Sequence, residues 1–163
     1  MKDTHRGLIA VPSAGGDDLT ASSGSVRLKL SAAQTDGGLS LLEVQSLPND
    51  GPPLHRHRSA EEIFYVLEGD YWFESDGRRV DAHAGSLVLI PRGAAHRYDT
   101  GTGGRLLIMF TPAGSEGFFV GWARLAHDSD AVIDVDRLAR LGAEYGIEFL
   151  DADSEARGDP GSA

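Results

Sequence analysis

Short apolar segments alternate with polar positions between residues 26 and 111, and turn residues separate each segment from the next. Residues 26–30 alternate with a period of two, the period of a strand with one buried face. Further strands are predicted in the segments GLSLLEVQSL, EIFYVLEG, YWFESDGRRVDA, SLVLI, HRYDT and RLLIMFTP. Asp76-Gly77 is typical of a two-residue hairpin loop. Many short antiparallel strands at this spacing predict an all-β sandwich or barrel.

After Gly114 the spacing of apolar residues changes from the period of a strand to the period of a helix. Apolar residues recur at helical spacing in two segments, with Phe118, Trp122 and Leu125 in the first and Val135, Leu138 and Leu141 in the second. Asp134 is a candidate N-cap of the second helix, and Gly146 is its candidate end. We therefore predict a β-barrel followed by two short C-terminal helices within residues 114–146.

The length of 163 residues suits one domain with a substantial core. We predict a single domain over residues 1–150, with a β core at 26–111 and the helices at 114–146. Residues 151–163 carry four acids, one base and no aromatic residue, so we expect a disordered acidic tail.

The charge and the cysteine count restrict the possible partners. Acidic residues outnumber basic residues by 25 to 15, which gives a formal net charge of -10. Such a chain repels phosphate backbones and anionic membranes, so we expect neither nucleic acid nor a membrane as a partner.

The chain has no cysteine, which excludes disulfides and restricts a metal site to nitrogen and oxygen ligands. No apolar run resembles a membrane span or a signal segment, and we expect a cytoplasmic protein.

The candidate chemistry begins at His55 and His57, two of only six histidines. Residues i and i+2 of a strand face the same side, so both imidazoles would share one face, about 6.6 Å apart at the backbone. Glu62 has the opposite parity. It joins the histidines only if the chain bends within residues 58–61 and restarts as a new strand segment. In that segment Glu62 would face inward and Glu61 outward.

A fourth candidate ligand, His96, opens a strand after the turn at residues 91–93. Three imidazoles and one carboxylate suit one divalent transition metal per chain, namely Fe, Mn, Ni, Co, Cu or Zn, whereas a calcium site would be all oxygen. Four protein ligands leave a five- or six-coordinate ion one or two open positions. The ligand set is therefore typical of a site that acts on a small molecule.

The two segments that hold these residues resemble the motifs of a small single-domain cupin. The pattern is His55-x-His57, four residues, Glu62, six residues and Gly69, then Gly85, five residues, Pro91-x-Gly93, two residues and His96. The resemblance implies a cupin-type double-stranded β-helix, or jelly-roll barrel, with metal ligands at His55, His57, Glu62 and His96. It also implies a homodimer paired through its sheets. The C-terminal residues are similar to those of bacterial cupins labelled as quercetin-dioxygenase-like.

Two positions depart from the family motifs. Asn49 stands where the first motif begins with Gly, and Thr100 stands where the second motif ends in Asn. Neither position is a ligand in the family. The departures therefore concern the shape of the loop and the pocket wall rather than metal binding.

Two groups of residues have both a functional and a structural interpretation. The candidate substrate contacts are Tyr98, Phe64 and Met109. For each of them the alternative is a side chain that fills the barrel core. The aromatic residues Phe118, Phe119 and Trp122 either form a lid over the barrel mouth or pack a C-terminal helix against the sheet.

Three function classes are compatible with this site, because fold alone does not determine function. The first is a metal-dependent dioxygenase for a small enol- or flavonol-like substrate, in which Glu62 is both a ligand and the catalytic base. The second is an isomerase, decarboxylase or cyclase that uses the metal as a Lewis acid. The third is a module that binds a small molecule without turnover.

Overall fold

The computed structural model describes residues 7–21, 24–128 and 135–150, apart from the side chain of residue 128. The strands are β1 (Asp17–Asp18), β2 (Ser25–Leu30), β3 (Ser40–Ser46), β4 (His55–His57), β5 (Glu61–Ser75), β6 (Arg78–His83), β7 (Leu87–Ile90), β8 (His96–Asp99), β9 (Gly104–Thr111) and β10 (Ile147–Phe149). The helices are α1 (Ala32–Thr35), α2 (Glu116–Asp128) and α3 (Val135–Glu144).

The strands form two antiparallel sheets that share the long strand β5. The first half of β5 pairs with β9 and β7, and the neighbours continue outward from β9 through β3 and β2 to β1. The second half of β5 pairs with β6 and β8, and this sheet continues through β4 to β10. The register of β5 on β9 shifts between Val66 and Glu68, where the strand passes from one sheet to the other.

The core lies between the two sheets. Buried apolar side chains from both sheets form one cluster, which includes Leu42, Phe64, Tyr71, Phe73, Leu106, Ile108 and Phe110. Alternation along β5 buries Glu62, Phe64 and Val66 on one face, as the sequence predicts for this strand. The buried polar residues include the four candidate ligands His55, His57, Glu62 and His96.

The structure confirms the predicted all-β jelly-roll barrel with two short C-terminal helices. The hairpin at Asp76-Gly77 connects β5 to β6, and both turn residues have positive φ, as such a loop requires. Three elements were missed by the sequence analysis, the two-residue strand β1, the single-turn helix α1 and the strand β10. The candidate cap Asp134 and the acidic tail lie outside the described residues, and the extent of the single domain stays a prediction.

Candidate metal centre

The bend between His57 and Glu62 is a passage between the two sheets. Strand β4 belongs to the sheet of β8 and β10, whereas β5 begins in the sheet of β9 and β7. Residues 58–60 connect the two strands and interrupt the alternation of inward and outward side chains before Glu62. Both histidines and Glu62 therefore face the barrel interior, and the predicted bend is confirmed.

The four candidate ligands converge on one point. The carboxylate oxygen Oε2 of Glu62 lies 2.8 Å from His96 Nε2, 3.1 Å from His57 Nε2 and 4.0 Å from His55 Nε2. One potential ligand atom from each residue lies within 4.8 Å of the others, and all four residues are buried. His55 and His96 stand directly opposite each other on β4 and β8. The donors thus come from three strands, β4, β5 and β8, and from both sheets.

The other nitrogen of each imidazole is already engaged. His55 Nδ1 lies 2.9 Å from the carbonyl oxygen of Pro53, and His96 Nδ1 lies 3.1 Å from that of Ala94. His57 Nδ1 lies 3.1 Å from the hydroxyl oxygen of Ser115. A carbonyl oxygen only accepts, so the Nδ1 atoms of His55 and His96 carry the proton. Their Nε2 atoms face the shared site, which is the orientation that metal-binding histidines require.

The electrostatics of the cluster favour an ionised Glu62 and a neutral His55. Burial, together with the nearby His96, lowers the pKa of His55 from 6.5 to about 4, so this imidazole is neutral. Burial opposes ionisation of Glu62, but the His57 and His96 imidazoles outweigh it and bring its pKa below the ordinary value. Burial lowers the pKa of His96, but the hydrogen bond to Glu62, the charge of Glu62 and the Ala94 carbonyl together raise it by more, so a metal would compete with a proton at this imidazole. One ionised carboxylate and three imidazole nitrogens form a donor set that fits a divalent transition metal.

The turn at residues 91–93 holds strand β4 in place through a backbone hydrogen bond. Gly93 has a φ of 81°, and its N–H donates to the carbonyl oxygen of His57 over 2.8 Å. A side chain at this φ is strained, so glycine allows the turn to hold the ligand strand in place.

The two departures from the family motifs lie next to each other in space. Asn49 has a φ of 58°, in the left-handed region that asparagine tolerates better than most residues. Its N–H donates to the carbonyl oxygen of Thr100 over 2.7 Å. The Thr100 hydroxyl in turn donates to the carbonyl oxygen of Gly103 over 3.1 Å. The chain therefore keeps the tight loop without glycine at position 49.

The three candidate substrate contacts have different surroundings. Phe64 is fully buried, with its ring centroid 4.9 Å from that of Phe73 and 6.4 Å from that of His96. The Tyr98 ring contacts Phe64 at 5.2 Å on the inner face of β8. Burial and the charge of Glu62 raise the pKa of Tyr98, so its phenol keeps its proton. Phe64 thus borders the cluster, Tyr98 reaches it through the Phe64 ring, and a contact with substrate stays a prediction for both.

The structure does not bring Met109 to the cluster. On β9 the buried residues are Leu106, Ile108 and Phe110, and Met109 lies between them on the outer face, opposite Ile63 of β5. The assignment of Met109 to the substrate pocket is therefore corrected. Its sequence neighbour Phe110 takes that side, with its ring centroid 5.1 Å from that of His57.

A continuous series of phenylalanine rings encloses the histidines. From His57 the ring contacts run through Phe110, Phe119, Phe118 and Phe149 and end at His55, with centroid distances of 5.1, 6.2, 5.4, 5.9 and 6.1 Å. We call these four phenylalanines the aromatic wall. Phe118 and Phe119 come from α2, so this helix packs against the barrel end, and the alternative role of a lid stays a prediction.

Two residues of the site were missed in the sequence. Phe149 belongs to β10, which pairs with β4 so that Phe149 stands opposite His55 and Ile147 opposite His57. Ser115 contacts His57 across 58 positions of sequence. The segment IEF has one weak signal, a β-branched residue and an aromatic residue of equal parity. Nothing in the sequence near Ser115 indicates its partner.

A family model described as a cupin domain matches residues 42–111, which contain all four ligands. The chain contains a cupin domain. No helix in the described part of the chain is long and apolar enough to cross a membrane.

One relative of this cupin domain is a fungal protein described as an oxidoreductase. Oxidoreductase iacF of Pestalotiopsis fici is 35% identical over 107 residues, which cover 64% of this chain and 46% of that protein. The match therefore spans about half the length of that relative.

Two solved structures show the same fold. A predicted oxalate decarboxylase from Thermotoga maritima has a TM-score of 0.56 at 20% identity, covering 64% of this chain and 99% of the other. An RmlC-like cupin from Shewanella frigidimarina has a TM-score of 0.54 at 20% identity, covering 62% and 87%. At this level of identity the likeness concerns the fold alone.

Proposed function

We propose that this cupin is a metal-dependent dioxygenase that acts on a small enol- or flavonol-like molecule. The observation that carries the proposal is the buried group of three imidazole Nε2 atoms around one carboxylate oxygen. The relative described as an oxidoreductase supports redox chemistry over the other classes. A bound divalent transition ion would supply Lewis acidity toward a substrate hydroxyl and, when redox-active, reactivity with dioxygen.

Glu62 would receive the proton of the substrate hydroxyl. Its low pKa means that it is ionised, and its Oε2 atom lies where the three imidazoles converge. Proton acceptance there would leave the substrate as an enolate or phenolate, the electron-rich form that reacts with oxygen. Both atoms of one dioxygen molecule would enter the product, so this reaction needs no external reductant.

Tyr98 and the aromatic wall would orient the substrate. The charge of Glu62 helps to keep the Tyr98 phenol protonated, so Tyr98 would donate a hydrogen bond to a substrate oxygen. The phenylalanines border the cluster on the other side and would contact a flat apolar ring by stacking. A small planar molecule with one acidic hydroxyl satisfies both sides.

Oxygen consumption tests the reaction class. Purified protein loaded with iron, manganese, nickel or copper is incubated with a panel of enols and flavonols under air, under nitrogen and under labelled dioxygen. We expect turnover under air, two labelled oxygen atoms in the product, and no turnover under nitrogen or with redox-inert zinc. Turnover that continues under nitrogen and with zinc would favour a Lewis-acid isomerase, decarboxylase or cyclase. Saturable binding without product would favour a binding module.

We further propose that the protein forms a homodimer through the outer face of the first sheet. Six apolar side chains lie side by side on this face, which we call the outer apolar face: Ile63, Tyr65, Leu87, Leu89, Leu107 and Met109. Leu87, Leu89 and Tyr65 are 64%, 50% and 41% exposed. A second copy is the partner that we favour, because a patch without charges of its own is complementary to itself in an isologous interface.

Replacing Leu89 with Lys is expected to shift the dimer to monomer, weakening self-association by at least about 100-fold, because two ammonium groups would be buried without partners. Sedimentation velocity over a range of protein concentrations measures the change. Leu8→Lys is the matched control, since Leu8 is a 99% exposed leucine outside this face. A monomeric wild type, or equal behaviour of the two variants, would contradict the proposed interface.

A further inference from the structure

The three metal-binding histidines differ in what holds their outer nitrogen. His55 and His96 each use a carbonyl oxygen two residues earlier in the chain, from Pro53 and Ala94. Both contacts are local, because each joins residues two positions apart in the sequence. His57 instead reaches the hydroxyl of Ser115, which comes from the segment that leads into α2. The orientation of one ligand thus depends on a separate part of the fold.

The segment around Ser115 is firmly anchored. Ser115 and its neighbour Glu116 are only 4% and 6% exposed. The Glu116 carboxylate accepts hydrogen bonds from the N–H of Ala32 at 3.0 Å and from the N–H of Gly114 at 2.6 Å. These contacts hold the backbone that carries Ser115 against the barrel.

We propose that Ser115 is a positioning residue for His57. Its hydroxyl accepts the Nδ1 proton of His57 and so keeps the Nε2 lone pair aimed at the metal. The inference rests on the metal site of the proposed function, but it concerns a different atom and a different element of the fold. The segment that leads into α2 thus acquires a role in metal affinity. The helix itself contributes Phe118 and Phe119 to the aromatic wall.

Metal titration of Ser115→Ala tests this role. The probe is zinc alone, in competition with a chromophoric chelator, and circular dichroism follows the fold. We expect the zinc Kd to rise about 10- to 100-fold, the range found when outer-shell partners of metal-binding histidines are removed. Ser115→Thr keeps a hydroxyl at the same position and is expected to restore most of the affinity.

Ser40→Ala is the matched control for loss of a buried hydroxyl. Ser40 is fully buried on β3, and its hydroxyl has no hydrogen-bond partner among the described residues. We expect this variant to bind zinc as the wild type does. Equal zinc affinity of Ser115→Ala and the wild type would overturn the proposal, as would equal losses in the Ser115 and Ser40 variants.

A spectroscopic measurement on the wild type tests the same proposal without any variant. The NMR signals of isotope-labelled histidine ring nitrogens in the zinc-loaded protein show which nitrogen carries the proton. We expect His57 to be protonated at Nδ1 and bound to zinc through Nε2. A His57 bound through Nδ1 would overturn the positioning role even if Ser115→Ala did not fold. A wild type that binds no zinc in the titration would instead reject the metal site itself.

Discussion

Purified His57→Ala protein is expected to retain little of the metal that the wild type holds at close to one ion per chain. The variant loses one of the imidazoles that converge within about 3 Å of the Glu62 carboxylate. We expect its metal affinity to fall by more than about 100-fold, beyond the effect of removing an outer-shell partner. Elemental analysis of protein purified without added metal, and zinc titration of the stripped protein, measure the loss.

The control for this experiment is His83→Ala. His83 is also a strand histidine, but its side chain is 72% exposed and pairs with Asp70 at 2.7 Å on the surface. We expect this variant to keep the wild-type metal content. Full occupancy in His57→Ala, or an equal loss in both variants, would contradict the four-ligand assignment.

The site was predictable from sequence because its determinants are local. Two-residue periodicity is enough to place His55 with His57, and to place Glu62 on the inner side with Phe64. The change of sheet between residues 58 and 60 follows from the same parity, since only a break in the strand brings Glu62 to the histidines. The glycines and prolines of the turns then mark where each short strand ends.

Other features depend on contacts that no local pattern contains. The segment around Met109 is an unbroken apolar run, so it has no alternation from which to tell its inner face from its outer face. Strand β10 has three residues, too few for a measurable period, and it is stabilised by pairing with β4. The contact between Ser115 and His57 arises only when the C-terminal helices have packed on the barrel end.

Glu62→Gln is expected to reduce turnover far more than it reduces metal content. The amide oxygen of glutamine can still face the ion, but the amide cannot accept the substrate proton. Loss of a general base typically reduces the rate by about 10²–10⁴-fold. We therefore expect turnover to fall about 100-fold or more. The measurement pairs oxygen uptake under air with elemental analysis of the same sample, using whichever enol or flavonol the wild type turns over.

Glu61→Gln separates the role of the inner carboxylate from a general effect of charge. The two residues are adjacent and chemically identical, and both substitutions remove one negative charge. Alternation along β5 buries Glu62 against the three histidines and turns Glu61 to the opposite face, where it pairs in register with Thr111 of β9. We therefore expect Glu61→Gln to keep wild-type turnover within about twofold, as is typical of substitutions away from the reacting groups. If both variants lose turnover to the same extent, the proton acceptor is not Glu62; if Glu62→Gln keeps full turnover, the carboxylate serves as a ligand alone.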